Sequence, residues 1–255
     1  MKMSKTRVIM HGCNGAMGQV ISRLAAEDER VEIVAGLDIA DKGLYEYPVF
    51  TVLEDCRVEA DVIVDFSVAV AVDALLEFAV RRKLPLVLCT TGLSGEQLER
   101  VNEISKMIPV LRSANMSLGV NTVFKLVAAA AQVLAGSGYD IEIVEKHHNK
   151  KLDAPSGTAL AIADAMNEAL NQEYHYKLDR SAVRERRDPK EIGIQAVRGG
   201  TIVGEHEVFF CGEDEVVEIK HTAYSKAIFG KGAIAAAIYL KDMEPGLYTM
   251  ADVIG

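Results

Sequence analysis

The sequence predicts an α/β chain: an N-terminal Rossmann-like parallel sheet, followed by a second α+β domain built on a mostly antiparallel or mixed sheet. Three observations carry this prediction. A glycine-rich turn, Gly12-Cys13-Asn14-Gly15-Ala16-Met17-Gly18, stands between an apolar run and a helical pattern. Apolar runs and helical stretches then alternate at the spacing of βαβ units, whose crossovers are right-handed. Past Asn121 the character changes to an Ala-rich helix and several strand-like runs punctuated by glycines.

The elements follow in order. Thr6 to Met10 is a short apolar strand, Gln19 to Glu27 a helix, and Val31 to Leu37 a strand closed by Asp38. Asp61 to Phe66 reads as a buried strand, Ala69 to Arg82 as a helix, and Pro85 to Cys89 as a strand that ends in a Thr90-Thr91-Gly92 turn. A helix from Gly95 to Lys106 and a strand from Pro109 to Ser113 lead into Ala114-Asn115-Met116-Ser117. The second part opens with a helix, Thr122 to Leu134, and an alternating strand, Tyr139 to Val144, before a helix from Gly157 to Asn171. The polar stretch Asn171 to Lys190 reads as a loop and hairpin approach. Ile192 to Val197, Thr201 to Phe210 and Glu215 to His221, separated by Gly199-Gly200 and by Gly212 to Asp214, are expected to form an antiparallel meander. A last helix, Gly232 to Leu240, is expected to return to the first domain. The expected boundaries are 1–118, with 229–255 packing back, and 119–228 between them.

The chain has 255 residues, 49% of them apolar and 25% charged, enough for one large or two modest domains. No uninterrupted apolar run approaches the roughly 18 residues of a membrane span, and Met1 to Val8 leads straight into a strand rather than a signal-peptide core. A cytoplasmic protein is expected. The net charge of −9 argues against nucleic acid as a partner, because phosphate contacts need a basic surface. Cys13, Cys56, Cys89 and Cys211 are scattered, which fits reduced thiols better than a disulfide framework or a zinc site.

In a strand–turn–helix, Gly12, Gly15 and Gly18 would allow a tight turn and close approach of a pyrophosphate to the helix start. Cys13 occupies the place of the first glycine in the G-x-G-x-x-G pattern, and Asn14 can take positive φ there. Asp38, twenty residues past Gly18, can accept hydrogen bonds from ribose hydroxyls. The turns at later strand ends, Asp65-Phe66-Ser67, Cys89 to Gly92 and Ala114 to Ser117, lie where ligands bind in open α/β sheets. A nicotinamide cofactor is the reading. Asp38 should repel a 2′-phosphate, while Ala16 and Ile39 offer no cation. NADH is therefore expected to be preferred, with NADPH possible and Lys42 the one nearby cation that could soften the choice.

The second informative stretch is Glu145 to Ala159, E-K-H-H-N-K-K-L-D-A-P-S-G-T-A. A strand continued through Glu145 puts His147 on the face of Ile141 and Ile143 and turns His148 away. Lysines and a helix N-terminus attract anions, and histidine exchanges protons near neutral pH. Ser156 reads as the helix cap, and the N–H groups of Gly157 and Thr158, with the Thr158 hydroxyl, could grip a carboxylate. Adjacent histidines with no cysteine nearby make a poor metal site, and none is expected. The residues alone also leave open another two-domain dehydrogenase or a non-catalytic NADH-sensing regulator.

The segment E-x-H-H-x-x-K-x-D-x-P-S-G-T-A resembles the signature of the 4-hydroxy-tetrahydrodipicolinate (dihydrodipicolinate) reductases of diaminopimelate and lysine biosynthesis. The likeness extends to Arg198-Gly-Gly-Thr-Ile-Val-Gly-Glu-His206 and to Gly246-Leu-Tyr-Thr-Met-Ala-Asp-Val253. The resemblance implies an acid/base role for His147 and a proton-donor role for Lys151. It also implies that His148, Gly157 and Thr158 bind the carboxylates of a dicarboxylate substrate. Gly12, Cys13, Asn14, Gly15, Ala16, Met17, Asp38, Cys89, Thr90, Thr91, Ala114, Asn115, Met116 and Ser117 would line the cofactor site. Cys89 stands where some relatives carry glycine. The family likeness further implies a homotetramer assembled through the meander strands.

Overall fold

The computed structural model of the chain describes residues 4–113 and 115–255; Ala114 lies outside them. In chain order the elements are β1 (Thr6–His11), α1 (Ala16–Ala26), β2 (Val31–Leu37), β3 (Val49–Phe50), β4 (Val62–Asp65), α2 (Ala69–Arg82), β5 (Leu86–Leu88), α3 (Gly95–Ile104) and β6 (Pro109–Arg112). There follow α4 (Leu118–Leu134), β7 (Asp140–His147), α5 (Gly157–Ala169), β8 (His175–Lys177), β9 (Glu191–Arg198), β10 (Gly204–Cys211), β11 (Val216–Ala223), α6 (Ala227–Leu240), β12 (Gly246–Tyr248) and α7 (Met250–Ile254). Two compact units result, Met1–Leu118 with Ala227–Gly255, and Gly119–Lys226.

The first unit is a seven-stranded sheet in the order β12-β6-β5-β4-β1-β2-β3, parallel at every pairing. Its strands are apolar on both faces, as a sheet covered on both sides must be. Val8, Met10, Val62 and Val64 meet Ile21 of α1 and Ala233, Ala236 and Ala237 of α6 on one face. Ile9, Ile63 and Leu86 meet Leu75 and Leu76 of α2 and Val101 of α3 on the other. The strand order reverses between β1 and β4, so a crevice opens at their carboxyl ends, beside Gly12 and Phe66.

The second unit holds a five-stranded sheet, β11-β10-β7-β9-β8. Here the sequence expectation fails in two places. β9 does not pair with β10: β7 lies between them, antiparallel to β10 and parallel to β9. The long connection through α5 allows that parallel return, and the Gly199-Gly200 turn then carries the chain across β7 rather than into a hairpin. The polar stretch before β9 likewise makes no hairpin; it contains β8, which pairs with β9 in parallel. Val123 and Val127 of α4 and Ile162 of α5 cover Ile141, Ile143, Ile194 and Phe210 on one face of the sheet. The expectation about apolar runs also needs amending. Leu118–Ser137 is, by length and composition, apolar enough to cross a membrane, because its Ala, Val and Leu residues outweigh Asn121, Lys125 and Gln132. Its Val123, Val127 and Ala131 side packs on the sheet.

Candidate active site

In the first unit the glycine-rich turn is built by close approach. Gly12 has φ +78°, and a Cβ there would stand 2.4 Å from the Phe66 carbonyl oxygen. A Cβ on Gly18 would fall 2.2 Å from the carbonyl oxygen of Gly12 and 2.5 Å from that of Cys13. Gly12, rather than Asn14, takes the positive φ, because the chain must turn under Phe66 immediately after β1. Asn14 keeps an ordinary backbone and uses its polar groups instead: its N–H donates to Asp38 Oδ2 at 2.8 Å and its side-chain amide to the Ala40 carbonyl at 2.6 Å. These bonds tie the turn to the end of β2.

Helix α1 starts after Gly15, which supplies no side-chain cap. Its first N–H groups have no side-chain cap among the described residues, which suits an anion there. Gly12, Asn14, Gly15, Asp38, Ile39, Lys42, Phe66 and Ser67 share the walls of a cleft of about 630 Å³. Asp38 accepts from Ile39 N–H at 2.8 Å as well as from Asn14. Cys13 is turned into the core, where burial and the Asp38 charge push its thiol up to about 11, so only its backbone can serve the turn. Ala16 and Thr91 are exposed, Met17 and Cys89 half-buried, and Thr90 buried with its hydroxyl accepting from Ser67 N–H at 3.0 Å. Burial and the Asp65 charge raise the Cys89 thiol well above its usual value. Asn115 is half-buried, Met116 and Ser117 are buried, and Ser117 N–H donates to Asn115 Oδ1 at 2.9 Å. One group escaped the sequence reading here: His11, whose Nδ1 lies 2.7 Å from the fully buried Asp65 carboxylate.

In the second unit β7 alternates with a clean period of two, so Ile141, Ile143, Glu145 and His147 are buried on one face. The strand ends at His147. His148 lies just beyond it, its Nδ1 buried with no hydrogen-bond partner among the described residues. His147 Nδ1 lies 2.6 Å from Glu145 Oε2. Arg198, aligned with His147 by the parallel β7–β9 register, grips Glu145 with two bonds of 2.7 Å. Burial alone would raise the Glu145 carboxyl, but Arg198, His147 and the Ser156 N–H together hold it below the usual range. His206 of β10 stands edge-on to His147, ring centres 5.2 Å apart, and its Nε2 meets Ser156 Oγ at 3.1 Å.

The loop from β7 to α5 passes a cis Ala154–Pro155 peptide and caps α5 with Ser156, whose hydroxyl accepts from Ala159 N–H at 3.2 Å. Lys151 Nζ pairs with Asp153 Oδ1 at 2.9 Å. The Asp153 carboxyl is lowered first by that lysine and also by the Gly157 N–H. A Cβ on Gly157 would meet nothing within 4 Å. His147, His148, Lys151, Gly157 and Thr158 thus lie at the β7 end, on the connecting loop and in the first turn of α5. Among the described residues no three His, Cys, Asp or Glu converge as a metal site. Sequence reasoning missed Arg198 and His206 as members, and gave Glu145 no part. Glu145 was findable, since a carboxylate two residues before a histidine on a strand shares its face. Arg198 and His206 come in only through strand pairing.

Residues 6–116 match the family described as Dihydrodipicolinate reductase, N-terminus, and residues 119–254 match Dihydrodipicolinate reductase, C-terminus. The chain is 54% identical to the 4-hydroxy-tetrahydrodipicolinate reductase of Caldanaerobacter subterraneus subsp. tengcongensis over 97% of its own length and 98% of the relative's. It is 46% identical to that of Clostridium novyi over 98% of each chain. Among solved structures it resembles the dipicolinate-bound dihydrodipicolinate reductase from Paenisporosarcina sp. TG-14, with a TM-score of 0.79 and 26% identity over 96% of this chain and 98% of that one. Both halves of the chain, and relatives spanning nearly all of it, agree: it belongs to the dihydrodipicolinate reductase family.

Proposed function

We infer that this chain reduces 4-hydroxy-tetrahydrodipicolinate to tetrahydrodipicolinate with a nicotinamide cofactor and loss of water, a step of diaminopimelate and lysine biosynthesis. The observation that carries the reading lies in the second unit. Lys151 already pairs with a carboxylate, the chain's own Asp153, at 2.9 Å, just ahead of the α5 N-terminus whose first residues are Gly157 and Thr158. A cation next to a helix N-terminus, beside a buried histidine, suits a ring bearing two carboxylates; the relative from Paenisporosarcina is described as binding dipicolinate.

The residues around the first cleft fit a dinucleotide. Gly12 and Gly18 let the turn fold tightly against its own backbone and the Phe66 carbonyl, and the start of α1, which has no side-chain cap, offers N–H groups to a pyrophosphate. Asp38 would take the ribose hydroxyls, with Asn14, Gly15, Ala16 and Met17 along the phosphates and Cys89, Thr90, Thr91 and Asn115 to Ser117 at the later turns. When bound, the cofactor supplies a hydride to C4 of the ring, and the C4 hydroxyl departs as water. Lys151, Gly157 and Thr158 hold the substrate's carboxylates, joined by His148. Lys151 or His147 delivers the proton that the ring or its leaving hydroxyl needs. A positioned general acid is worth about 10²–10⁴ in rate. His147→Gln and Lys151→Ala are each expected to lose kcat on the order of 10²–10⁴ while NADH affinity stays close to wild type. Full turnover in both variants would remove these residues from the mechanism.

NADH is the preferred cofactor in this reading, because the Asp38 carboxylate opposes a 2′-phosphate. Lys42, in the same cleft wall, is the counterweight. A kcat/KM ratio of about tenfold or more in favour of NADPH would refute the preference. We further propose a homotetramer built through the second unit. The supporting feature is the sheet face away from α4 and α5, where Phe209 is half-buried and Val197 and Val216 are 44% and 57% exposed.

A further inference from the structure

We propose that Glu145 is the positioning residue for His147, fixing which ring nitrogen exchanges the proton, and that Arg198 keeps Glu145 ionised for that task. The inference rests on the acid/base reading of His147 given above.

Glu145 is fully buried, and a buried carboxylate without partners is costly. This one has four. Arg198 Nη1 and Nη2 donate to Oε2 and Oε1, both at 2.7 Å, His147 Nδ1 meets Oε2 at 2.6 Å, and Ser156 N–H donates to Oε1 at 2.9 Å. An ionised carboxylate only accepts, so the His147 Nδ1 must carry hydrogen, and the neutral ring keeps its lone pair on Nε2. The opposite edge of the ring has been left clear for it: a Cβ on Gly204 would lie 3.1 Å from Nε2.

The carboxylate also reaches the substrate side. Ser156, which it holds by the backbone, caps α5, and Arg198 Nη2 donates to the Asp153 carbonyl at 2.7 Å. One buried ion pair thus fixes both the histidine ring and the two ends of the segment leading into the carboxylate-binding turn. A merely structural pair would leave the histidine's tautomer and proton affinity unaffected.

The test uses the full chain with its cofactor. The ¹⁵N ring shifts of His147 and the pH profile of kcat are compared in wild type, Glu145→Gln and Glu145→Asp, with His147→Gln as reference. In wild type, Nδ1 is expected to be the protonated nitrogen of the neutral ring. Glu145→Gln should give a mixture of tautomers, change the pH profile of kcat and reduce kcat about 10²-fold, with NADH binding retained. Glu145→Asp should recover part of each. If Arg198, left without its counter-charge, prevents Glu145→Gln from folding, Glu145→Gln/Arg198→Met removes both charges and gives the same readouts. Wild-type shifts and an unmoved profile in a folded variant lacking the Glu145 carboxylate would overturn the proposal. Full activity in His147→Gln would instead overturn the acid/base reading beneath it, and the ring shifts would still report whether Glu145 sets the tautomer.

Discussion

Asp153 offers its carboxylate to Lys151, the cation that we propose holds a substrate carboxylate. An incoming diacid therefore has to displace it. Asp153→Asn weakens this internal competitor without emptying the loop, and should lower KM for the diacid several-fold while kcat holds; steady-state kinetics at fixed NADH decide. A rise in KM would mean that Asp153 steers Lys151 instead. His206 governs a different property. Burial, reinforced by the neighbouring His147, lowers it to about 4, whereas in the unfolded chain it titrates near its ordinary 6.5. Between those values the unfolded state binds a proton that the fold refuses, so stability rises with pH through this window and is lost on acidification. The loss from His206 is at most on the order of 3 kcal/mol. Half-buried His221, lowered by burial as well, acts with the same sign. Carboxylates held low, such as Glu145 and Glu207, act in a lower range, their stabilisation disappearing only as pH falls below their usual 4.5. His206→Gln should thus flatten the fall in melting temperature between pH 6.5 and 4.5, and an unchanged slope would exclude His206 as its source.

At the scale of elements, the start of α1 depends on its last motif glycine. Gly18→Ala would drive a methyl group into the Gly12 and Cys13 carbonyls, and the backbone has no room to yield. The expected result is a loss of about 1–3 kcal/mol from overpacking, together with NADH binding weakened well beyond what that loss explains, measured by titration on the folded fraction. The same scale shows what the sequence could and could not reveal. Periodicity found β2 and α2 at their observed ends, and β7 as an alternating strand, because those signals are local. α1 begins three residues before the expected Gln19, since Gly15 and Gly18 mask its first turn from a propensity reading. β3, β8 and β12, each of two or three residues, are too short to show a period. Strand order was out of reach: that β7 separates β9 from β10 is a matter of pairing across long sequence gaps. Arg198 was therefore visible as a motif residue, but its grip on Glu145 was not. The segment proposed to bind the substrate was legible for the opposite reason: His147, Lys151, Ser156 and Gly157 are consecutive features of one strand–loop–helix.

For the whole molecule, the proposed assembly is the quantity to measure. Light scattering on the eluting protein should return four times the chain mass of 27.7 kDa, and charge substitutions at Val197 and Val216 should lower it. A monomer at micromolar concentration would remove the sheet face that carries Val197 and Val216 as an interface. The connectivity of the chain has a separate consequence. The dinucleotide-type sheet takes β12 as its outer strand beside β6, and its core is closed by α6, yet both come from the last 29 residues (Ala227–Gly255). As the polypeptide leaves the ribosome, Gly119–Lys226 is complete while the earlier-made unit still lacks a wall. The segment synthesised first is then the last able to close its core, and a nascent chain stalled before α6 would expose Val8, Met10, Val62 and Val64 to whatever chaperone waits at the tunnel exit.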